Sequence, residues 1–243
     1  LEGGVLAGNT GGDLTGTFSP NVYSGNTTGV QGFLGVDVRT RSPFALPINL
    51  DHAQGPALGD VNGDGIPDVI AAPTLGGPVI GVRARFFTSN GNEIPFSIHP
   101  PPSTNTLLRY SKNWQVTPYI GLPVIIPDNG NSVFPGPQVV TFWAGPIIVN
   151  STARLRVDEI GNITVFERSD TRVGVAAGVD YDILLSPKPN GTQTFIRFGA
   201  ELNIVPGTDL RGRTAFPFDY NVDGDADVFG VFKVGFGTTL PPG

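Results

Sequence analysis

Apolar and polar residues alternate with a period of two along much of the chain, and this pattern predicts β-strands. Five segments carry it most clearly and are rich in Val, Ile, Phe and Thr. These are "VQGFLGVDVRT" (30–40), "VIGVRARFFT" (79–88), "QVVTFWAG" (138–145), "VGVAAGVDYDILL" (173–185) and "TQTFIRFGAELNIV" (192–205). No stretch of about 12 residues has the apolar i, i+3, i+4, i+7 spacing of a helix. The pattern therefore predicts an all-β protein.

The segment 153–170, "ARLRVDEIGNITVFERSD", predicts a hairpin. Leu155 and Val157 alternate with polar neighbours before the turn, and Val165 and Glu167 alternate with Thr and Phe after it. Gly161 and the Asn that follows it accept the positive φ angles of a tight turn.

Composition sets how these strands are connected. The chain has 34 Gly and 23 Pro without a collagen repeat, and we interpret this excess as turns. About ten to twelve short strands between such turns are typical of a β-sandwich or jelly roll. We predict one all-β domain over 30–243.

Residues 1–29 are Gly-rich and almost uncharged, which is typical of a flexible tail. Two causes would order such a segment: packing along its own domain, or docking as a strand on a neighbouring subunit. Both alternatives stay open at the level of sequence.

Charge and special residues exclude several function classes. The net charge is −6, charged residues make up 15%, and no basic stripe is present, which argues against nucleic-acid binding. No run of about 18 apolar residues occurs, so we predict no membrane insertion. Cysteine is absent, which excludes disulfides and thiolate metal sites. Methionine is absent even at position 1, and we expect a removed leading segment or a longer precursor.

Two acidic nonamers carry the most specific chemistry. "DVNGDGIPD" (60–68) and "DYNVDGDAD" (219–227) both match D-x-N-x-D-G-x-x-D. Converging carboxylates repel one another, and a hard divalent cation with oxygen ligands removes that repulsion. We therefore predict Ca²⁺ at both loops, with position 7 offering its backbone carbonyl. The predicted ligands are Asp60, Asn62, Asp64, Ile66, Asp68, Asp219, Asn221, Asp223, Asp225 and Asp227. The alternative is a pair of Asn/Asp-rich turns without metal.

An EF-hand would need Glu at position 12, where the loops have Ala71 and Gly230. The stretch "LGDVNGDGIPDVIAAP" (58–73) instead resembles the FG-GAP repeat of integrin-type propellers, over residues 55–86. That resemblance implies calcium ligation by the first loop and, as an alternative fold, a partial propeller-like arrangement. In its Gly-rich leading segment the chain also resembles donor-strand filament subunits more weakly.

Other residues mark candidate surface chemistry. Four N-x-S/T sequons are candidate glycosylation sites if the chain is exported: Asn26, Asn150, Asn162 and Asn190. Trp114, in the polar segment "RYSKNWQ" (109–115), is predicted to be exposed, and Trp143 to be in the core. Asp158 with Glu159, or Asp180 with Asp182, could form a glycosidase pair, but we interpret Asp180 and Asp182 as solvent-facing strand charges and predict no enzyme activity.

These observations together predict an extracellular or cell-surface, calcium-stabilised structural protein. We expect a subunit of a surface or secreted fibre, a homopolymer assembled by adding the N-terminal strand to the next subunit. The alternatives are a calcium-dependent adhesin or carbohydrate-binding module with glycan partners, and a polysaccharide hydrolase.

Overall fold

A computed structural model describes residues 1–17, 19–41, 57–59, 68–70, 74–75, 77–88, 91–98, 104–126, 138–159, 162–185, 193–213 and 219–239. The described part is all-β, as the alternation predicts. Its strands are β1 (Glu2–Gly16), β2 (Ser19–Arg41), β3 (Ala57–Gly59), β4 (Asp68–Ile70), β5 (Thr74–Leu75), β6 (Val79–Phe87), β7 (Asn92–Ile98), β8 (Thr104–Ile126), β9 (Gln138–Glu159), β10 (Asn162–Leu184), β11 (Gln193–Val205), β12 (Leu210–Arg213), β13 (Asp219–Gly224) and β14 (Asp227–Thr239).

Eight of these strands form a closed antiparallel ring. Hydrogen-bonded neighbours follow the order β1, β14, β11, β10, β9, β8, β6, β2, and β2 pairs again with β1. Closure leaves no free edge in this part of the sheet, which is the defining property of a β-barrel.

Several ring strands continue past the barrel and build a second packed unit, which we call the distal extension. It consists of β7, β12 and β13 with residues 10–16 of β1, 19–28 of β2, 104–112 of β8, 150–159 of β9 and 162–171 of β10. Its core joins two groups of strands of the same sheet, β7–β8–β9–β10 and β12–β13–β1–β2, through buried side chains of Leu14, Ile94, Phe96, Leu108, Tyr110, Ala153, Leu155, Val157, Leu210, Tyr220 and Val222. The unit therefore stabilises itself as an ordinary soluble two-layer structure does.

The predicted 153–170 hairpin is confirmed. β9 and β10 pair in continuous antiparallel register from Asn162 opposite Glu159 to Ile183 opposite Gln138. Leu155 and Val157 are fully buried, as their alternation predicts.

The predicted β-sandwich or jelly roll is replaced by a barrel. Many short strands were expected because Gly was interpreted as a mark of turns, but β2, β8 and β10 each have 23 residues. The alternative propeller-like arrangement also differs from this ring, since a propeller places separate four-stranded blades around an axis. Among the described residues, none belongs to a helix long and apolar enough to cross a membrane.

The Gly-rich segment 1–29 lies within the sheet of its own chain. Residues 2–9 pair with β14 on one side and with β2 on the other, and residues 12–16 pair with β13 and β2. Packing along its own domain is therefore the cause of its order.

Candidate functional site

The outer surface of the ring is a continuous apolar band. It comprises residues 3–7 of β1, 30–38 of β2, 80–86 of β6, 116–124 of β8, 140–148 of β9, 173–181 of β10, 196–204 of β11 and 228–236 of β14. Every outward side chain in these ranges is apolar, Gly or Tyr. Large ones stand far out from the sheet: Leu34 is 74% exposed, Phe86 68% and Phe232 63%. A soluble protein rarely exposes an apolar surface of this extent.

The height of the band fits a bilayer. Six of the eight strands contribute nine residues each to the band, which extend about 27 Å along a strand, or about 20 Å along the axis of a barrel whose strands tilt by about 40°. Side chains at both margins add to this height, and the lipid-facing belt of a membrane barrel is about 25 Å tall.

The outward face becomes polar immediately past the band. Toward the distal extension, the next outward residues are Asn9, Thr28, Asn150 and Thr171. The Asn113 amide donates hydrogen bonds to Asn150 Oδ1 at 2.8 Å and to Thr152 Oγ1 at 2.9 Å. Further out on β9 come Arg154 and Arg156, both exposed.

Aromatic residues lie at both margins of the band. Trp114 is on the outward face of β8, two residues before the band begins on that strand, and it is paired with Asn150. Tyr181 ends the band on β10, and its hydroxyl hydrogen-bonds Gln138. Trp and Tyr at such margins are typical of membrane–water interfaces.

Inside the ring, ten charged side chains form one network, which we call the ionic cluster. Five cations face five anions, so its formal charge sums to zero. Its members are Arg39, Arg83, Arg85, Arg197 and Lys233 with Glu2, Asp37, Asp180, Asp182 and Glu201.

Arg83 lies at the centre of the ionic cluster and is fully buried. Its guanidinium donates to Asp37 at 3.3 Å, to Glu201 at 3.2 Å and to Asp180. The same group lies 4.1 Å from the ring centroid of Trp143. Burial removes the water that solvates a charge, which costs free energy. The three carboxylates and the Trp143 ring offset that cost for Arg83.

The other cations extend the network along the ring. Arg85 donates to Glu2 at 2.6 Å and also to Glu201, and lies over the Phe33 ring at 4.7 Å. Lys233 Nζ is 2.8 Å from Asp180. Arg197 contacts Asp182 at 2.6 Å, and Arg39 contacts the same carboxylate at 2.9 Å.

A mainly apolar layer, which we call the apolar layer, separates the ionic cluster from a second charged group near the distal extension. It contains Leu6, Ile147, Val149, Ala176, Val205, Phe229 and Val231, and the buried polar side chains of Gln31, Gln115 and Asn203 lie at the same level. Beyond it, Asp227 contacts Arg172 at 3.1 Å and Lys112 at 3.6 Å. Side chains therefore fill the ring at three successive levels.

Burial also affects titration just outside the band. Burial lowers the pKa of Lys112, and the Asp227 carboxylate partly opposes that effect. Burial raises the pKa of the Tyr110 hydroxyl, and Asp227 adds to the rise. Tyr110 therefore remains a neutral phenol that donates to the Thr208 carbonyl at 3.3 Å.

The second acidic nonamer lies in β13 and at the start of β14. Asp219 contacts Arg213 at 3.6 Å, Asn221 accepts from Arg211 at 3.2 Å, and the Asp225 amide donates to the Gly11 carbonyl at 3.1 Å. Asp223 pairs with Asp13 on β1. Asp227 is buried in its contacts with Arg172 and Lys112. Within the described part of the chain, no three His, Asp or Glu side chains form a group that could hold a metal ion. Calcium at this loop stays a prediction.

The first acidic nonamer falls mostly outside the described residues. Asp60, Asn62, Asp64 and Ile66 all lie outside them, and of Asp68 the structure describes the backbone in β4. β3 pairs with β4, with Gly59 opposite Asp68, so the strands that precede and follow the loop form a two-stranded hairpin. The FG-GAP resemblance stays a prediction.

The structure describes three of the four sequons. Asn26 is exposed on β2 and Asn162 is exposed at the start of β10. The Asn150 amide donates to Thr171 Oγ1 at 3.1 Å and its side chain is half-buried beside the apolar band. Asn190 lies outside the described residues, and glycosylation at all four stays a prediction.

Two predictions about single residues are wrong. Asp180 and Asp182 are buried in the ionic cluster and do not face solvent. Trp114 is half-buried beside the apolar band, and its neighbours Tyr110 and Lys112 are buried. The core position of Trp143 is confirmed, at 4% exposure.

The barrel corrects the predicted function and partners. The fibre prediction, with its homopolymer, needed a free N-terminal strand, but β1 has partners on both edges in its own chain. The prediction of no membrane insertion relied on the absence of one long apolar run, whereas the ring spreads its apolar surface over eight alternating strands. The adhesin or carbohydrate-binding alternative relied on calcium at the acidic loops, which stays a prediction. The hydrolase alternative relied in part on Asp180 and Asp182, whose carboxylates ion pairs already occupy.

Sequence reasoning missed the ionic cluster. The signal is present in "RAR" (83–85), "DYD" (180–182) and the single charges Glu201 and Lys233, each flanked by apolar residues at alternate positions. A membrane barrel has the same alternation as a soluble strand but with the polar side inward.

No protein-family model matches the chain, and no curated protein is significantly similar to it in sequence. Among solved structures, the chain is similar to Ail, the attachment invasion locus protein of Yersinia pestis, with 9% identity over 96% of this chain and 97% of that one. The TM-score is 0.23, so this likeness carries no argument. The barrel is therefore established by the strand pairing of this chain alone.

Proposed function

We propose that this chain is an integral membrane protein whose eight-stranded barrel spans a lipid bilayer at a cell surface. The observation that carries the proposal is the apolar band. Eight strands contribute outward side chains without one charge, and six of them, all but β8 and β9, carry Arg, Lys, Asp or Glu on the opposite face within the ring. Lipid is the solvent that makes this arrangement stable, because hydrocarbon favours the outer face and closure satisfies the backbone.

The polar surface of the distal extension supports the same proposal. Most of its outward residues are polar or charged, with Val22, Ile163 and Val165 as exposed apolar exceptions, and most of its large apolar side chains point into its own core. The outer face therefore changes from apolar to polar along single strands. This change occurs at Asn150 on β9 and at Thr171 on β10. We place the extension in water on one side of the bilayer.

The filled interior favours a role as an anchor over a role as an open pore. The ionic cluster, the apolar layer and the Lys112–Arg172–Asp227 group lie one after another along the ring axis. The barrel would then hold the distal extension at the membrane surface, and the extension would carry the interaction with the surroundings.

Quenching of tryptophan fluorescence by brominated lipids tests the proposal. Trp114 lies on the outer face at the margin of the band, whereas Trp143 lies inside the ring. In vesicles, the Trp143→Phe variant retains Trp114 and should be quenched by lipids brominated near the headgroup. The matched Trp114→Phe variant retains Trp143 and should be quenched much less.

Folding is checked in the same samples by the shift in electrophoretic mobility that boiling causes in membrane barrels. Equal and weak quenching of both tryptophans in folded, vesicle-bound protein would contradict a bilayer location. So would a folded protein that stays in the aqueous phase without detergent.

A further inference from the structure

One edge of the distal extension is open. β10 pairs with β9 along nearly its whole length, but with β11 only from Val175 to Leu184. Among the described residues, none pairs its backbone with the other edge of β10 before Val175. That edge lies beyond the apolar band, where water and not lipid surrounds it.

The part of this edge nearest the ring is already engaged. The Arg168 guanidinium donates to the Asp209 carbonyl at 3.2 Å and pairs with Asp170 at 3.5 Å, while Arg172 donates to the Pro206 carbonyl. The open portion is therefore the six residues 162–167.

The open portion has the side chains of a pairing surface. Ile163 is 57% exposed and Val165 41% exposed on its outer face. Elsewhere in the described extension, Val22 is the other large apolar side chain with comparable exposure. On the inner face Phe166 is partly buried, with its ring against Gly212 of β12 and 6.3 Å from the ring of Tyr220 at the rim of the core.

This edge lacks the usual protection against pairing. Soluble proteins shorten their edge strands, bulge them, or place Pro or inward charges on them. The register between β9 and β10 is continuous, and 162–167 contains no Pro and no inward charge. Such an edge is suited to accepting another strand.

We propose that residues 162–167 bind an extended segment of another polypeptide as an added β-strand. This inference rests on the proposed membrane location, which puts the edge in water at a fixed side of the bilayer. Main-chain hydrogen bonds would hold the segment. Its side chains would be uncharged and β-branched or aromatic, contacting Ile163 and Val165 outside and Phe166 inside.

A second copy in the same bilayer fits this edge poorly. Two copies with the same orientation are related by an axis along the membrane normal, so their β10 strands run in the same direction. That rotation would continue the apolar inner face of one sheet into the charged outer face of the other. A separate polypeptide has no such restriction.

The test measures binding of a defined peptide to the folded protein in lipid nanodiscs. The probe is a fluorescent peptide of about eight residues with alternating Thr and Val, matched to the length of the edge. Its control carries N-methyl groups on alternate amides, which removes strand pairing. Val165→Lys is the test variant, and Val22→Lys makes the same change elsewhere on the extension.

We expect the peptide to bind and to slow amide hydrogen exchange in residues 162–167. Binding should weaken by about tenfold or more in Val165→Lys and with the N-methylated peptide, and persist in Val22→Lys. Equal binding in both variants, no binding up to millimolar peptide, or a peptide-free dimer abolished by Val165→Lys would each overturn the proposal. Both positions lie outside the apolar band, so the mobility shift on boiling reports separately on the barrel itself.

Discussion

At the scale of single residues, glycine makes room for the charged interior. A Cβ at Gly199 would meet the Lys233 side chain and lie 2.7 Å from the Asp180 carboxylate. A Cβ at Gly81 would meet the Tyr119 ring, and one at Gly178 would lie 2.7 Å from Trp143. The glycine excess that predicts turns therefore also serves the inner faces of strands, where long side chains need space.

Gly199→Ala should destabilise the protein by about 1–3 kcal/mol, because the added methyl group overpacks the ionic cluster. Gly230→Ala is the matched control, since a Cβ there would meet nothing nearer than 3.8 Å. Urea unfolding in lipid vesicles measures both. Equal stability of the two variants would contradict the tight packing described for the cluster.

Asp180→Asn should cost about 3–5 kcal/mol, because it removes a buried anion that contacts both Arg83 and Lys233 and leaves Glu201 as the anion that they still share. Asp219→Asn removes a carboxylate from a largely exposed pair with Arg213 and should change stability by no more than about 0.5 kcal/mol. The difference between the two free energies of unfolding is the measurement. A small cost for Asp180→Asn would show that the cluster contributes little.

At the scale of strands, the sequence predicts alternation but not which side faces the interior. In "VGVAAGVDYDILL", Val173, Val175 and Val179 share one face and Asp180 and Asp182 the other. A soluble sheet would bury the valines, and this ring buries the aspartates. The choice depends on the solvent and on closure of the whole sheet, which no single strand encodes. The strands and the β9–β10 hairpin could therefore be predicted, and the alternating charges of the ionic cluster are visible in the sequence, but the direction in which they point is not.

Phe232 is at the middle of the apolar band on β14, and Phe232→Arg should cost about 2–4 kcal/mol in a bilayer. Ser169→Arg places the same charge on the outer face of the distal extension and should cost no more than about 0.5 kcal/mol. Equilibrium unfolding from vesicles compares the two. An equally mild effect of both variants would argue that the band does not contact hydrocarbon.

Calcium at the acidic loops makes a separate prediction for the β13–β14 segment. Binding at the second loop through Asp227 would require that carboxylate to leave Arg172 and Lys112. If the loop binds calcium, adding the ion to chelated protein should raise the melting temperature, and Asp223→Asn should reduce that rise. Asp64→Asn tests the first loop in the same way, and an unchanged melting temperature in wild type would contradict both sites.

At the scale of the whole molecule, the side chains that fill the ring predict a barrier to ions. The ring encloses ion-paired charges with a mainly apolar layer between its two charged groups, so we expect no continuous water-filled path to cross it. Reconstituted protein should give no discrete conductance steps in a planar bilayer, with a known porin as the positive control. Stable steps from protein whose folding has been verified would contradict the filled interior.

The closure of the ring between β1 and β14 also bears on how the protein assembles. These paired strands are the most distant in sequence among those of the ring, with Glu2 opposite Gly235. Contacts of such long separation form slowly, since a large loop must close before they contribute. Until β14 pairs with them, β1 and β11 would each have an unpaired hydrogen-bonding edge. A chaperone that protects incomplete sheets would therefore matter most just before β14 pairs with β1.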